Sequence, residues 1–534
     1  MDISWIPRWM NVVSWNTAED SWPWIGVAIA VVLFACYQIY CIQCSRIDIP
    51  AYGVPRGPLG PWIAALRFVR NSAELIEGGV QKYGPSGTSF KISTPGRWVV
   101  LATSEAVLNE LKDADPRVLS MQAAANERNS ISYTLSSTIH SNPYHVDILT
   151  KNLTQRLSKV LPDVVDELRW TFEENVPSGI GEEWAPINTH ALMLKCISST
   201  TNRILVGLPL SRDQEYLDCL VELSKMVSRA GLVIDLAPRV LKSFLAWCMI
   251  PRGGAFKIFL DKLGPVFAER RKKIAELGDG WTDRPNDAAQ WVVETAPQDA
   301  SLYELCVRIL YLDFSAIHTS SISITQALYD LATHPEFQTP IRDEIESVLA
   351  EHGGWTKPAL TQMKKLDSTL RESQRLHPVT TATMMRMTMK PYTLADGTRL
   401  PKGQWVVAPA WAINRSAEQY EDPLRFDAFR FSSAREEPGS EVRHQLASPD
   451  KGYLSFGMGK HACPGRFFAA AELKVLLAHV ICNYEFKLDI EGSHMRPHNS
   501  FFSFLCSPDF AARLMFRSRA DAGSQKGLSG LSGH

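Results

Sequence analysis

The stretch from Leu302 to Thr333 carries one unbroken helical pattern, and it ends only at His334-Pro335, where the proline disfavours further helix. A helix of that length crosses an entire domain, so the rest of the chain has to pack around it. Most of residues 145 to 375 reads as helix as well. Strand signals are short and lie outside this body. They fall at residues 87 to 102 around a Pro95-Gly96 turn, at Tyr392 to Val407 around Asp396-Gly397 and Lys402-Gly403, and at Phe501 to Phe516. The expected class is mainly α with small β-sheets, an α+β chain, and no internal repeat is present.

The N-terminal end is a separate unit. Trp22 to Ile42 contains no charged residue and is about as long as a bilayer-spanning helix requires, with Pro23 tolerated in its first turn. A cleaved signal peptide is the competing reading, but Asp2, Glu19 and Asp20 precede the run, and neither a basic n-region nor a small-residue cleavage pattern accompanies it. The expected order is a lumenal segment over 1–21, a transmembrane anchor over 22–42 and a stiff hinge over 43–62. In the hinge, Pro50, Pro55, Pro58 and Pro61 interleave with Gly53, Gly57 and Gly60. A globular domain over 63–519 and a disordered Gly/Ser-rich tail over 520–534 follow. Arg46 and Arg56 after the span, against Arg8 far before it, place the domain in the cytosol. Ten cysteines scattered without regular pairing argue for reduced thiols rather than a disulfide framework, and a net charge of −1 gives no reason to expect a nucleic acid partner.

The most informative segment is Phe456-Gly457-Met458-Gly459-Lys460-His461-Ala462-Cys463-Pro464-Gly465-Arg466, directly before the helix-forming Phe467 to Ile481. Glycines permit close backbone approach to a flat cofactor, and a helix N-terminus favours thiolate over thiol. On residue chemistry alone, a buried structural cysteine competes with an iron ligand.

The segment resembles the haem-binding loop of the cytochrome P450 superfamily, Phe-x-x-Gly-x-Arg-x-Cys-x-Gly, met here by Phe456, Gly459, Cys463 and Gly465. The resemblance implies haem b with Cys463 as the axial thiolate ligand, and the family's fold. His461 stands where an arginine usually pairs with a haem propionate. Glu372 and Arg375, in Leu370-Arg371-Glu372-Ser373-Gln374-Arg375, match the Glu-x-x-Arg pair that locks a helix beneath the haem, and Arg430 matches its usual third member. Ser315-Ala316-Ile317-His318-Thr319-Ser320 is similar to the oxygen-activation segment without its acid. There Thr319 is expected to orient a water for proton delivery. His318 either begins the relay or is a locally hydrogen-bonded helix-face residue. Arg386 matches another propionate contact, and the Trp-x-x-x-Arg contact has no counterpart between Tyr144 and Arg156.

What the resemblance implies is a monooxygenase that hydroxylates or further oxidises an apolar substrate. No flavin or nicotinamide fingerprint is visible, so electrons from NADPH would come through a separate NADPH-cytochrome P450 reductase, with cytochrome b5 as a second donor. Lys365, Arg371, Lys451 and Lys460 are candidates for a basic docking face. Ala230 to Pro238 and Phe501 to Leu505 are candidates for an apolar channel. The motifs look like those of fungal enzymes similar to ent-kaurene oxidase, which implies a terpenoid or related polycycle of secondary metabolism and a single-pass endoplasmic reticulum protein. A peroxygenase or isomerase working without a reductase, and a non-catalytic haem-binding membrane protein, are the alternatives.

Overall fold

The computed structural model describes residues 34–42, 47–176, 183–250, 253–440, 442–489 and 495–519. The expected lumenal segment, the tail and most of the expected membrane span lie outside them. Residues 34–42 are helical, and among the described residues no helix is long and apolar enough to cross a membrane.

The helices that matter for the site are α1 (Gly60–Tyr83), α2 (Glu105–Asp113), α3 (Met121–Asn129), α4 (Thr138–Ser141), α5 (Thr154–Asn175), α6 (Thr189–Leu205), α7 (Gln214–Leu236), α8 (Lys242–Met249), α9 (Leu302–Thr333), α10 (Lys364–Leu376) and α11 (Arg466–Asn483). The long helix α9 has the boundaries its pattern implies. Ser301 and Glu304 form a reciprocal capping box at its start, and it stops at His334. It packs against α6, α7, α10 and α11, and nearly every residue from Ser320 to Ala332 is buried. The main hydrophobic core lies along it, drawing on α5, α6, α7 and α11. Its buried residues include Arg308, Asp313, Ser320, Thr325 and Asp330 as well as aliphatic side chains, so burial on every side goes with no single apolar stripe.

The strands form a five-stranded sheet, β1 (Phe90–Thr94), β2 (Arg97–Leu101), β3 (Leu119–Ser120), β5 (Thr383–Thr388) and β8 (Trp405–Ala408), in the order β1-β2-β8-β5-β3. Smaller sheets are β4 (Ala185–Asn188) with β12 (Arg513–Ser518) and β9 (Tyr484–Leu488), the hairpin β6 (Tyr392–Thr393) with β7 (Arg399–Leu400), and β10 (Ser500–Phe502) with β11 (Leu505–Ser507). Helices carry the core and strands form small sheets beside it, as expected. The β1–β2 hairpin turns at Gly96, whose φ of +78° a side-chain-bearing residue rarely adopts.

The described part of the expected hinge, residues 47–62, is held at the edge of the sheet. Residues 50–52 lie along β1, where Lys91 N–H donates to the Pro50 carbonyl (2.9 Å) and Tyr52 N–H donates to the Lys91 carbonyl (3.0 Å). Ile47 is buried, and Gly60 already begins α1. Proline lacks a donor but not an acceptor, so the segment docks on the sheet edge through the Pro50 carbonyl and the Tyr52 N–H.

Candidate active site

The cysteine loop is folded by its own backbone. Cys463 N–H donates to the Phe456 carbonyl (2.8 Å), closing the loop, and α11 begins three residues later at Arg466. Gly459 has φ +75°, and a Cβ there would come within 2.6 Å of the Lys112 carbonyl oxygen on α2. Its role is to let the loop pass α2. Gly465 faces open space beside Cys463, so a side chain there would fill the cavity. Burial pushes the Cys463 thiol up, while the backbone N–H groups of Gly465 and Arg466 and the Arg466 charge pull it down. The helix N-terminus therefore does not make a thiolate unaided, and a metal cation would.

Cys463 opens into a cavity of about 370 Å³ whose walls are mainly apolar, including Leu149, Leu153, Leu205, Leu312 and Phe468. Ser315, Ala316 and Thr319 of α9 line it as well. Thr319 Oγ1–H donates to the carbonyls of Ser315 (3.0 Å) and Ala316 (3.2 Å), leaving the oxygen's lone pairs for the cavity. His318 lies off this wall. It shares its surroundings with His190 and Lys225, its Nε2 has no partner, and burial followed by the Lys225 charge depresses its pKa. A helix turns about 100° per residue, so the neighbour of a cavity-facing threonine faces elsewhere. This removes the geometric ground for a His318 relay.

The expected apolar channel is also corrected. Ala230 and Ile234 pack with Ala246, Phe504 packs on Phe68 (4.9 Å between centroids) and Phe501 packs on Trp411 (5.3 Å). None of them lines the cavity.

A second cavity adjoins the first, sharing Met121, Thr380 and Phe456, and is lined by Arg386, His461 and Arg128 with no carboxylate. Arg386 follows a bulge in β5, where Met384 has φ +51°. It is 1% exposed and bonds only to the carbonyls of Leu111 (2.8 Å) and Met385 (3.0 Å), with Nε unpartnered. Burial lowers its pKa to about 10. His461 is half-buried with Nε2 unpartnered, and burial, then the Arg386 and Lys460 charges, depress its pKa. Arg128, near the end of α3, makes no hydrogen bond or ion pair among the described residues, and its guanidinium lies 5.6 Å from the Phe504 ring centroid. Arg128 lies outside the Tyr144–Arg156 segment where the family's pattern places a further cation. The only sequence signal is a basic residue in the last turn of a short helix.

Beneath the cysteine loop, Glu372 and Arg375 are both fully buried on α10. Arg375 donates from Nε (2.7 Å) and Nη2 (2.8 Å) to the two carboxylate oxygens and from Nη1 to the carbonyls of Asn414 (2.8 Å) and Pro423 (2.6 Å). Arg430 Nε (3.1 Å) and Asp427 N–H (3.2 Å) donate to the same carboxylate. Arg371 is buried as well, between the rings of Phe431 and Tyr453, and is not part of any docking face.

A cysteine ligand at one cavity end, a threonine wall on a long helix and a buried Glu-Arg-Arg cluster define a haem-thiolate class of protein. A model of the cytochrome P450 family matches residues 120–511, and the chain belongs to this family. It is similar to cytochrome P450 monooxygenase 103 of Postia placenta, 36% identical over 93% of this chain and 98% of the relative. It is also similar to cytochrome P450 monooxygenase CYP512U6 of Ganoderma lucidum, 33% identical over 87% and 91%, and to cytochrome P450 monooxygenase paxQ of Penicillium paxilli, 30% identical over 96% and 99%. The protein is a monooxygenase of the oxidoreductase class, with haem b as its cofactor. The residues present fit that group: Cys463 would supply the thiolate to its iron, Phe456 and Gly465 line the same cavity, and the acid-free cluster of Arg386, His461 and Arg128 would hold its propionates.

Proposed function

We propose that the chain oxidises a rigid apolar molecule, a terpenoid or related polycycle, using electrons passed from NADPH by a separate flavoprotein reductase. The observation that carries this reading is the cavity itself, mainly apolar and reached from one side by Cys463 and from another by Thr319. Bound haem supplies dioxygen activation at an iron held by the Cys463 thiolate. The chain's own contribution is to exclude water through the leucine and phenylalanine walls and to hold a proton donor at the Thr319 oxygen. Lys460 and Lys451 are exposed on the cysteine-loop side and offer the reductase a basic face.

A membrane anchor with the domain in the cytosol at the endoplasmic reticulum completes the proposal. Two observations support it. Gln38 Nε2–H donates to the Leu236 carbonyl (2.5 Å) and Trp98 Nε1–H donates to the Ile42 carbonyl (2.9 Å), so helix 34–42 leaves the domain beside the end of α7. A few residues further on, Val240, Phe244 and Trp247 are 87%, 59% and 73% exposed. Such an apolar patch beside an apolar N-terminal helix suits a lipid surface.

The test is reconstitution of the full chain with reductase and NADPH, followed by mass spectrometry of candidate polycycles. Products gaining one oxygen, dependent on NADPH and reductase, are expected. Turnover sustained by peroxide with no reductase overturns the electron route. Extraction of the full chain from microsomes by alkaline carbonate overturns the anchor.

A further inference from the structure

A carboxyl group stands on the wall that carries Thr319. Glu472 of α11 lines the cavity together with Thr201, Thr319 and Ser320, and it is 2% exposed. Other buried carboxylates on the helices around it are paired with cations, as Glu372 is. Glu167 on α5 has Arg203 (3.6 Å) and Arg212 (3.0 Å), Asp330 on α9 has Arg496, and Asp367 on α10 has Lys474 and Arg435 (2.8 Å). Glu472 has no cation among the described residues. Asp313 on α9 shares that lack, but it bonds to Asn202 and does not line the cavity. Cys196 on α6 and His479, two turns further along α11, are both held neutral by burial.

The partners of Glu472 are hydroxyls, and they indicate where a proton sits. Thr201 Oγ1–H donates to Oε1 (2.9 Å), while Thr200 Oγ1 lies 2.9 Å from the same oxygen and 2.8 Å from the Cys196 carbonyl. Thr200 has a single proton for these two acceptors. A proton on Glu472 resolves the shortage: Oε1–H donates to Thr200 Oγ1, and Thr200 Oγ1–H donates to the Cys196 carbonyl. Burial raises the Glu472 pKa to about 7 against the opposing pull of the Thr201, Thr200 and Ser320 hydroxyls, so the acid both holds and releases a proton near neutrality. Ser320 connects it to the cavity. It follows Thr319 on α9, lines the cavity and sets its hydroxyl against the Glu472 carboxyl.

We propose that Glu472 is the proton reserve for Thr319, in place of the acid that the Ser315–Ser320 segment lacks. The terminal torsion of a glutamate is soft, so half a turn of the carboxyl presents its proton to Ser320. Ser320 takes that proton and passes its own to a water on the Thr319 oxygen, and the carboxylate regains a proton from solvent before the next turnover. Glu472 acts through Ser320, which makes it a positioning residue. This rests on the reading of Thr319 as the residue that holds a proton donor. The test uses the haem-loaded full chain with reductase and compares Glu472→Gln, Ser320→Ala and Thr319→Ala. Glutamine keeps an acceptor for Thr201 but carries no transferable proton. Glu472→Gln and Ser320→Ala should each lower product per NADPH about ten-fold and raise peroxide release, with haem content near wild type. Infrared difference spectra of wild type minus Glu472→Gln should show a carboxylic-acid C=O band that fades as pH rises through about 7. The band should survive Ser320→Ala, and also Asp313→Asn, which removes the other buried acid without a cation. Absence of the band, or unchanged coupling in either Glu472→Gln or Ser320→Ala while Thr319→Ala uncouples, overturns the Glu472 reserve alone. Unchanged coupling in Thr319→Ala removes the Thr319 reading and the reserve with it.

Discussion

Replacing Glu372 with alanine strands a fully buried Arg375 and a mostly buried Arg430, whose side chain is 16% exposed. Breaking a buried ion pair from one side costs about 3–5 kcal/mol, because the partner's charge is left uncompensated. Arg375→Ala also removes two bonds to the Asn414 and Pro423 carbonyls, but it leaves Glu372 with Arg430 and the Asp427 N–H. Arg430→Ala removes one 3.1 Å contact to a carboxylate that Arg375 still holds through two bonds, and bonds to the exposed Glu421 (2.7 Å), Asp422 (3.3 Å) and Arg425 (3.2 Å) carbonyls that water can replace, so it should cost only about 1–2 kcal/mol. With an unfolding entropy of about 2.1 cal/mol/K per residue over roughly 450 residues, 3–5 kcal/mol lowers Tm by roughly 3–5 °C if the domain melts as one unit. Haem content should follow the same order, Glu372→Ala lowest and Arg430→Ala near wild type. The double variant Glu372→Ala, Arg375→Ala should lose less than the sum of the singles, since it strands no Arg375 charge. The assays are thermal melting of the haem-loaded protein and haem per polypeptide. Equal losses in Glu372→Ala and Arg430→Ala, or strict additivity in the double variant, would refute the argument from stranded charge.

Three further outcomes are expected. Arg128→Gln should weaken haem retention about 10- to 100-fold, measured by transfer to apomyoglobin, without lowering the Tm of the haem-free chain, because Arg128 makes no hydrogen bond among the described residues. Asp313, fully buried on α9 and hydrogen-bonded by Asn202 (2.8 Å), has its pKa raised by burial to about 7. An acid whose folded pKa lies above its unfolded value binds more protons when folded, so stability falls as pH rises from about 4 to about 7. Asp313→Asn should therefore gain Tm over wild type progressively from pH 5 to pH 8, and a difference independent of pH contradicts this. Thr319→Ala should lower product per NADPH and raise peroxide release, whereas His318→Ala should leave both unchanged, and a His318→Ala coupling defect would restore the relay role that its position denies.

What was legible in the sequence followed from local rules. The limits of α9 are set by Ser301, Glu304 and His334-Pro335, and these signals act within a few residues of where they are read. The Glu372-Arg375 pair sits three apart on one helix, so its geometry too is local. What was not legible depends on rotation or on assembly. Around Thr319 the helix buries polar and apolar residues alike, Ser320, Ser321 and Ser323 among them, so polarity does not fix its phase and nothing local separates Thr319, which lines the cavity, from His318, which does not. The assignment of Thr319 came from family position, which carries one residue and not the direction its neighbour faces. Arg128, Arg386 and His461 come from a short helix, a bulged strand and a loop, and only the closed fold brings them to one acid-free cavity. The Pro/Gly segment looked like a hinge for the same reason. Its composition forbids a helix but says nothing about whether its carbonyls find a sheet edge, and here Lys91 supplies one.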